Sequence, residues 1–598
     1  MPTDPALDLA LVRRFEPVIR YTHGELFLPM SVADYVVGSR LVARDGNGPI
    51  VLAERGSLTL DGLAELGLSE ADHALSLEHV GAALQRRDYR AWRRRPERDR
   101  FRASSRFAAV SLPSRLIDVG LRLTLLLRGR VPGGFAAAAH EAYLHSPHYR
   151  KPHYYAHVSR DGGYTVLQYW YFYAMNDWRS TFGGVNDHEG DWEQVTVYLA
   201  PEEVTSADPL DGATGTQSPG LRPAWVAYSS HDEVGPDLRR RWDDPDLSRV
   251  GEHPVVFAGA GSHSGAYLQG EYLITSELPL PPWLSRVTAR VRGDAHGLLR
   301  IPYIDYKRGD GTTVGVGGDL EWIPVLVDDT TPWVRDYAGL WGLDTEDPFG
   351  GERAPAGLRY NRNGTLRESW AQPVAWAALD RVAPTAAQAH DEILAVRDRL
   401  VSTLAESQRR LSERRDVLRG AHAAELALGI PANQPGRQVA GLDREVAGIR
   451  REVAELTSLL EGAERSLAAP APTPLPHAHL RHRAVPLGQD QLAQGRALRV
   501  WTALSASLAL LALGVLMLAG LASARSVLWL AGAMIVIEAV LRRHLGLLLL
   551  GAGVVVVAAF GIWGIVSVAL GHLDLGFGVL LVIGALYMGL STLREATR

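Results

Sequence analysis

The run Asp187-His188-Glu189-Gly190-Asp191-Trp192-Glu193 places three potential ligands for a hard metal ion, His188, Asp191 and Glu193, within six positions. The segment after it, Gln194 to Leu199, alternates and is rich in β-branched residues, which predicts a strand. Residues two apart on a strand share a face, so Asp191 and Glu193 are expected to point with Val195 and Val197 toward a core. Carboxylates at the mouth of an apolar face are costly unless something neutralises them. A divalent cation would do so, and so would arginine partners; these residues alone do not choose between the two.

Two other histidines close strand-like runs. Trp225 to His231 and Val255 to His263 each deliver Ser-His at the carboxyl end. If those ends converge on the acidic motif, His231 and His263 would line one cleft with it, as ligands, general bases or groups that orient His188. For His231 the plainer reading, a histidine that caps a loop, is preferred. Ser262 and Ser264 flank His263 without a nucleophile-elbow pattern, so a serine hydrolase is not expected. Neither a phosphate-binding P-loop nor a dinucleotide fingerprint is present.

The elements that must position these residues fall into blocks. At 598 residues the chain is too long for one domain. Its net charge of −5 is too mild to imply a nucleic-acid partner. The run Trp92-Arg93-Arg94-Arg95 is soon interrupted by Glu97 and Asp99 and reads as a solvated helical face. With no cysteine, disulfides, thiolate metal sites and cysteine nucleophiles are excluded, which fits a reducing compartment. The amino-terminal residues show no signal-peptide pattern.

Residues 1–382 are mixed and aromatic-rich, with a helical insertion expected around 75–148. Within it, Leu116 to Leu127 is apolar but too short to span a bilayer, so it predicts a buried helix or a membrane-surface contact. Residues 384–468 turn to Ala, Leu, Glu and Arg. Val439, Leu442, Val446, Ile449, Val453, Leu456 and Leu460 step by three and four, a heptad seam. A weaker seam lies between His390 and Leu428, and Gly429 to Gly436 breaks the two helices apart. An antiparallel coiled-coil hairpin is the simplest fold, and self-association through 439–467 is the alternative. Residues 469–495 form a Pro-rich linker.

The last block, 496–598, reads as about four transmembrane helices: Val500 to Ala522, Val527 to Leu541, Leu545 to Leu570 and Leu575 to Leu590. Arg481, Arg483, Arg496, Arg499, Arg542, Arg543, Arg594 and Arg598 gather on one side, so both ends and the large amino-terminal block are expected in the cytosol, at the cell membrane. Glu538 lies inside the second span, one turn from Arg542, and a pair between them is expected. With few other ionisable residues in the spans, this block reads as an anchor.

The strand Leu167 to Asn176, nearly all aromatic or apolar and followed by Asp177, precedes the acidic motif. Together they resemble the vacuolar protein sorting-associated protein 62 family over roughly residues 14–380. The pieces Arg20 to Pro29, His253 to His263, Tyr337 to Gly342, and Trp370 with Trp376 agree in order. A more distant likeness is to the necrosis- and ethylene-inducing cytolysins, whose heptapeptide has the same length. That likeness implies a divalent-cation site at Asp177, His188, Asp191 and Glu193, and a β-sandwich with helices outside. Asp187, Glu189 and Gly190 depart from that family's pattern, which puts its lipid recognition in doubt here.

The expected architecture is therefore multidomain: a mainly-β sandwich with peripheral helices, a coiled-coil hairpin, then a transmembrane bundle. An oxygen-rich donor set suits Mg²⁺ or Ca²⁺ better than Zn²⁺. The function expected is a binding or scaffold module at the membrane, taking a lipid head group or a protein and not nucleic acid. The alternative is a metal-dependent hydrolase of a phosphoester or glycoside with His263 as base.

Overall fold

The structure is a computed structural model and describes residues 4–45, 48–70, 74–95, 101, 112, 115–116, 134–177, 187–202, 220–229, 239–277, 300–343, 354–431, 433–468, 485–487, 496–544 and 562–563. A sheet-rich amino-terminal region is followed by long helices. In chain order β1 (Val18–Arg20) comes first, then a small antiparallel sheet of β2 (Arg40–Asp45), β3 (Gly48–Ala53) and β4 (Ala74–Glu78), ordered β3-β2-β4. Next come β5 (His153–Asp161), β6 (Tyr164–Asn176), β7 (His188–Pro201), β8 (Leu221–Tyr228) and β9 (Arg239–Arg241). They are followed by β10 (Arg249–Val250), β11 (His253–Ala258) and β12 (Gly265–Ala266), the hairpin β13 (Gly270–Glu277) with β14 (Arg300–Lys307), then β15 (Thr313–Val314) and β16 (Ile323–Leu326).

The central sheet is ordered β16-β5-β6-β7-β8-β9, antiparallel except for the β16–β5 edge. A second sheet runs β10-β11-β1-β15, with β12 on β11 and a parallel β1–β11 pair at its centre. The turn between β5 and β6 is Gly162-Gly163, both at positive φ (54° and 83°), as a tight two-residue hairpin requires. Every residue of β6 is buried, as its aromatic run predicts. On one face Phe172 packs with Trp192 at 4.9 Å and with Trp341 at 5.4 Å. On the other, Tyr171 meets Trp322 at 5.2 Å, and the Tyr173 and Tyr21 hydroxyls are hydrogen-bonded at 2.9 Å.

The region expected as a helical insertion around 75–148 needs one correction. Its first residues form β4, paired with β2, because Ala-Leu-Ser-Leu-Glu alternates with period two and buries Leu75 and Leu77. The described helices of the region are Arg86–Arg94 and Gly134–Leu144.

Beyond the sheets, helices Ala386–Ala427 and Arg437–Ala468 pack side by side. Leu411 contacts Val446 and Ile449, and Arg410 pairs with Glu452 while Arg414 pairs with Glu445, so the two run antiparallel. Two later helices are long and apolar enough to cross a membrane, Val500–Leu518 and Ala524–Leu541. The expected spans from 545 onward fall almost wholly outside the described residues. Glu538 is buried and receives Arg542 Nε at 2.8 Å and Trp501 Nε1 at 2.9 Å, and Arg115 of the amino-terminal block also donates to it. Leu112 packs beside Arg115 against Ala509 and Met534. In the linker, Leu487 N–H donates to the Glu271 carbonyl of β13 at 2.7 Å.

β4 leads directly into His79, whose ring stacks on Tyr35 at 4.5 Å with Nδ1 3.1 Å from Ser39 Oγ. Burial, with Arg55 nearby, pushes its pKa down to about 4. The unfolded chain therefore takes up this proton near pH 6.5 and the folded chain only near 4, so stability present above pH 6.5 is lost as the pH falls between these values. The loss amounts to about 3 kcal/mol at roughly 1.4 kcal/mol per unit. His79→Gln is expected to flatten thermal stability across that window; an unchanged pH profile would show that another group sets it.

Candidate functional site

The acidic motif is itself the start of β7, paired residue by residue with the end of β6. Asp191 stands opposite Tyr173, Glu193 opposite Tyr171 and His188 opposite Asn176. Asp177, His188, Asp191 and Glu193 are all buried. Simple alternation would turn Glu189 to the same face as Asp191, but Gly190 sits at φ 66° and breaks the pattern. A Cβ at Gly190 would lie 2.1 Å from the Trp341 carbonyl, so the position needs glycine for space as well as for φ. Glu189 consequently reaches the other loop: its carboxylate accepts the backbone N–H of His79 (3.0 Å), Leu343 (3.1 Å) and Val80. Burial pushes the Glu189 carboxyl up to about 7 despite those three donors.

The two strand ends that deliver histidine and serine do converge on the motif. Ser229, directly after β8, donates its hydroxyl to Glu193 Oε2 at 2.7 Å and accepts the Gln194 N–H at 2.9 Å. His263, on the turn after β11, sets Nδ1 2.7 Å from Asp191 Oδ2. Its ring lies flat on Tyr173, centroids 3.8 Å apart and planes within 3°. Its Nε2 is 3.6 Å from Glu25 Oε1, an ion-pair distance longer than a hydrogen bond. Burial opposes a charge on His263, yet hydrogen bonding to Asp191 and the charge of Glu25 override it and hold the pKa at about 10. The imidazolium is thus the counter-charge of the motif. His231 lies outside the described residues.

Glu25 is the partner that sequence reasoning missed. It accepts N–H bonds from Leu26 (2.7 Å), Phe27 (3.1 Å) and Gly261 (2.8 Å). Its signal was present, since it is a lone carboxylate leading into the apolar run Leu26-Phe27-Leu28. Gly261, at φ 73°, lets the backbone close over Asp177, whose N–H donates to the Gly261 carbonyl at 3.0 Å. A neighbouring cluster was missed as well: Ser262 and Ser264 each donate to buried Asp305 at 2.8 Å, with Lys307 Nζ 3.2 Å away.

Three of the four expected metal donors are held in separate bonds. His188 Nδ1 donates to the Gly190 carbonyl at 2.9 Å, Asp191 takes His263, and Glu193 takes Ser229. Among the described residues no group of three or more His, Asp or Glu is placed to hold a metal ion. His188, Asp191 and Glu193 thus each have a protein partner, and the cation expected at Asp177, His188, Asp191 and Glu193 remains an expectation.

Removing one partner of a buried ion pair strands the other charge, at a cost of about 3–5 kcal/mol. His263→Leu is expected to lower the melting temperature of the full chain in detergent by roughly 10 °C, and Asp191→Asn in the same chain to restore part of the loss. Elemental analysis of the purified wild type supplies the other check. One equivalent of divalent metal, lost in Asp191→Asn, would show that a cation rather than His263 balances the acids.

Compared with family models, curated proteins and solved structures, the chain finds no match in any of the three.

Proposed function

We propose that the chain is a membrane-anchored binding module: a β-rich head held against a set of membrane-spanning helices and presenting a ligand site on the cytosolic side. The observation that carries this reading is the pairing of Glu538. A carboxylate inside an apolar helix is expensive in hydrocarbon unless donors surround it. Here Trp501 of the first apolar helix, Arg542 one turn on, and Arg115 of the head all donate to it. The contact of Leu112 with Ala509 and Met534 supports the same docking. The multi-pass topology with both ends cytoplasmic rests on the arginines that flank the apolar segments.

A binding role is preferred because the acids and bases of the motif are spent on one another. A metal-dependent hydrolase needs an open coordination position and a base facing a cleft. Asp191, Glu193 and His263 are instead buried and bonded within the fold, so no observation favours the hydrolase.

The chain is expected to stay in the membrane pellet after alkaline carbonate extraction, and protease added outside intact cells is expected to leave residues 1–382 uncut. Release into the carbonate supernatant would overturn the anchor. Cleavage of the head on intact cells would overturn the topology.

A further inference from the structure

A cavity of about 300 Å³ opens on the head, with Glu25 of the ionic core on one wall. Its walls come from the segment after β1, the helices Arg86–Arg94 and Gly134–Leu144, and the turn carrying Tyr149 and Arg150. Leu26, Leu28, Trp92 and Tyr143 are buried there, and half-open Tyr149 meets Tyr143 edge-on at 5.2 Å. The polar groups are pre-set. Trp92 Nε1–H donates to His140 Nδ1 at 3.3 Å, which puts the proton of a neutral His140 on Nε2. The Tyr143 hydroxyl accepts the Leu28 N–H at 3.3 Å, so its own O–H can donate.

The charge of the lining is lopsided. Glu25 is the acid of the wall, but its oxygens are taken by three backbone N–H groups and its charge is offset by His263 behind it. Arg95 pairs with Glu141 at 2.7 Å. Arg150 is exposed and forms no ion pair with another described residue. It also sits at φ 58°, in the left-handed region that side chains other than glycine's seldom occupy. The surrounding turn, with Tyr149 N–H on the Ser146 carbonyl and Lys151 N–H on that of His148, holds this strained backbone where its residue lines the cavity.

We propose that this cavity binds an anion-headed amphiphile: a phosphate or carboxylate on Arg150, with a flat or branched apolar body against Trp92, Tyr143, Leu26 and Leu28. Its volume of about 300 Å³ sets the size of the enclosed part of the ligand. Arginine suits the head because its fork meets both oxygens of such a group at once. This deepens the binding-module reading and rests on the head being a binder, but not on the anchor.

The test uses the purified full chain in neutral detergent with three probes of one body: 1-naphthyl phosphate, 1-naphthoate and 1-naphthol, measured by calorimetry. Both anions are expected to bind at least tenfold more tightly than naphthol. Arg150→Gln should remove at least tenfold of that affinity without moving the melting temperature, since Arg150 is exposed. Arg150→Lys should recover part of it, and Arg399→Gln on a distant helix should change nothing. Equal binding of naphthol and the phosphate, wild-type affinity in Arg150→Gln, or no anion binding below millimolar would each overturn the site. Dihexanoyl phosphatidic acid set against 1-naphthyl phosphate then separates the sources. Tighter binding of the lipid, lost in Arg150→Gln, assigns the head group to the membrane, and the opposite order assigns it to a soluble anion. Failure of the carbonate extraction would remove the anchor and leave this result standing.

Discussion

The bond from His263 to Asp191, with Glu25 behind it, ties together three parts of the head that have no covalent reason to meet. Asp191 belongs to β7 of the central sheet, His263 to the turn after β11 of the second sheet, and Glu25 to the segment after β1. Burying these groups works against folding unless their charges are paired, and here His263 meets both carboxylates. The interaction therefore acts on specificity as much as on stability. A register shift in β7 would separate Asp191 from the imidazole and flip each side chain to the wrong face. The flat stacking of Tyr173 on His263 extends the same constraint into β6.

Much of this was legible in the sequence, though not the identity of the cation. Alternation through Val195 and Val197 predicts a strand and a shared face for Asp191 and Glu193, and the meeting of strand-end residues Ser229 and His263 with the motif was foreseeable as a condition. What alternation cannot carry is a single backbone angle. Gly190 at φ 66° sends Glu189 to the amides of His79, Val80 and Leu343, which a period of two does not predict. Nor do residue types carry distances: one imidazole and several acids read equally as a metal shell or as an ion pair. In the structure Asp191 is paired with His263, a histidine in the place where arginine was the expected alternative to a metal.

The helical parts divide in the same way. Local signals foretold a helix from roughly His390 to Leu428 and the break at Gly429, which sits at φ 77°; the helix in fact begins at Ala386, capped by the Thr385 side chain on Gln388 N–H, a start that the seam does not mark. The pairing of Glu538 with Arg542 followed from a separation of four residues along one helix. The arrival of Arg115 and Trp501 at the same carboxylate was not visible, since nothing local marks a partner on another helix or, for Arg115, hundreds of positions away.

The hydrogen bond from Leu487 to β13 has a geometric consequence for the molecule as a machine. Taken alone, the Pro-rich stretch from 469 to 495 would be a long leash on which a head could swing through a wide volume. Fastening the chain at Leu487 leaves nine peptide steps before the helix that begins at Arg496. Fully extended, at about 3.5 Å per residue, they reach roughly 30 Å. The edge of β13 is thus confined to about one bilayer thickness from the point where the chain enters its first apolar helix. If that helix spans a membrane as proposed, so short a tether would hold the head at a high and nearly constant effective concentration at the membrane surface, where even a weak affinity for what lies there would keep a site occupied.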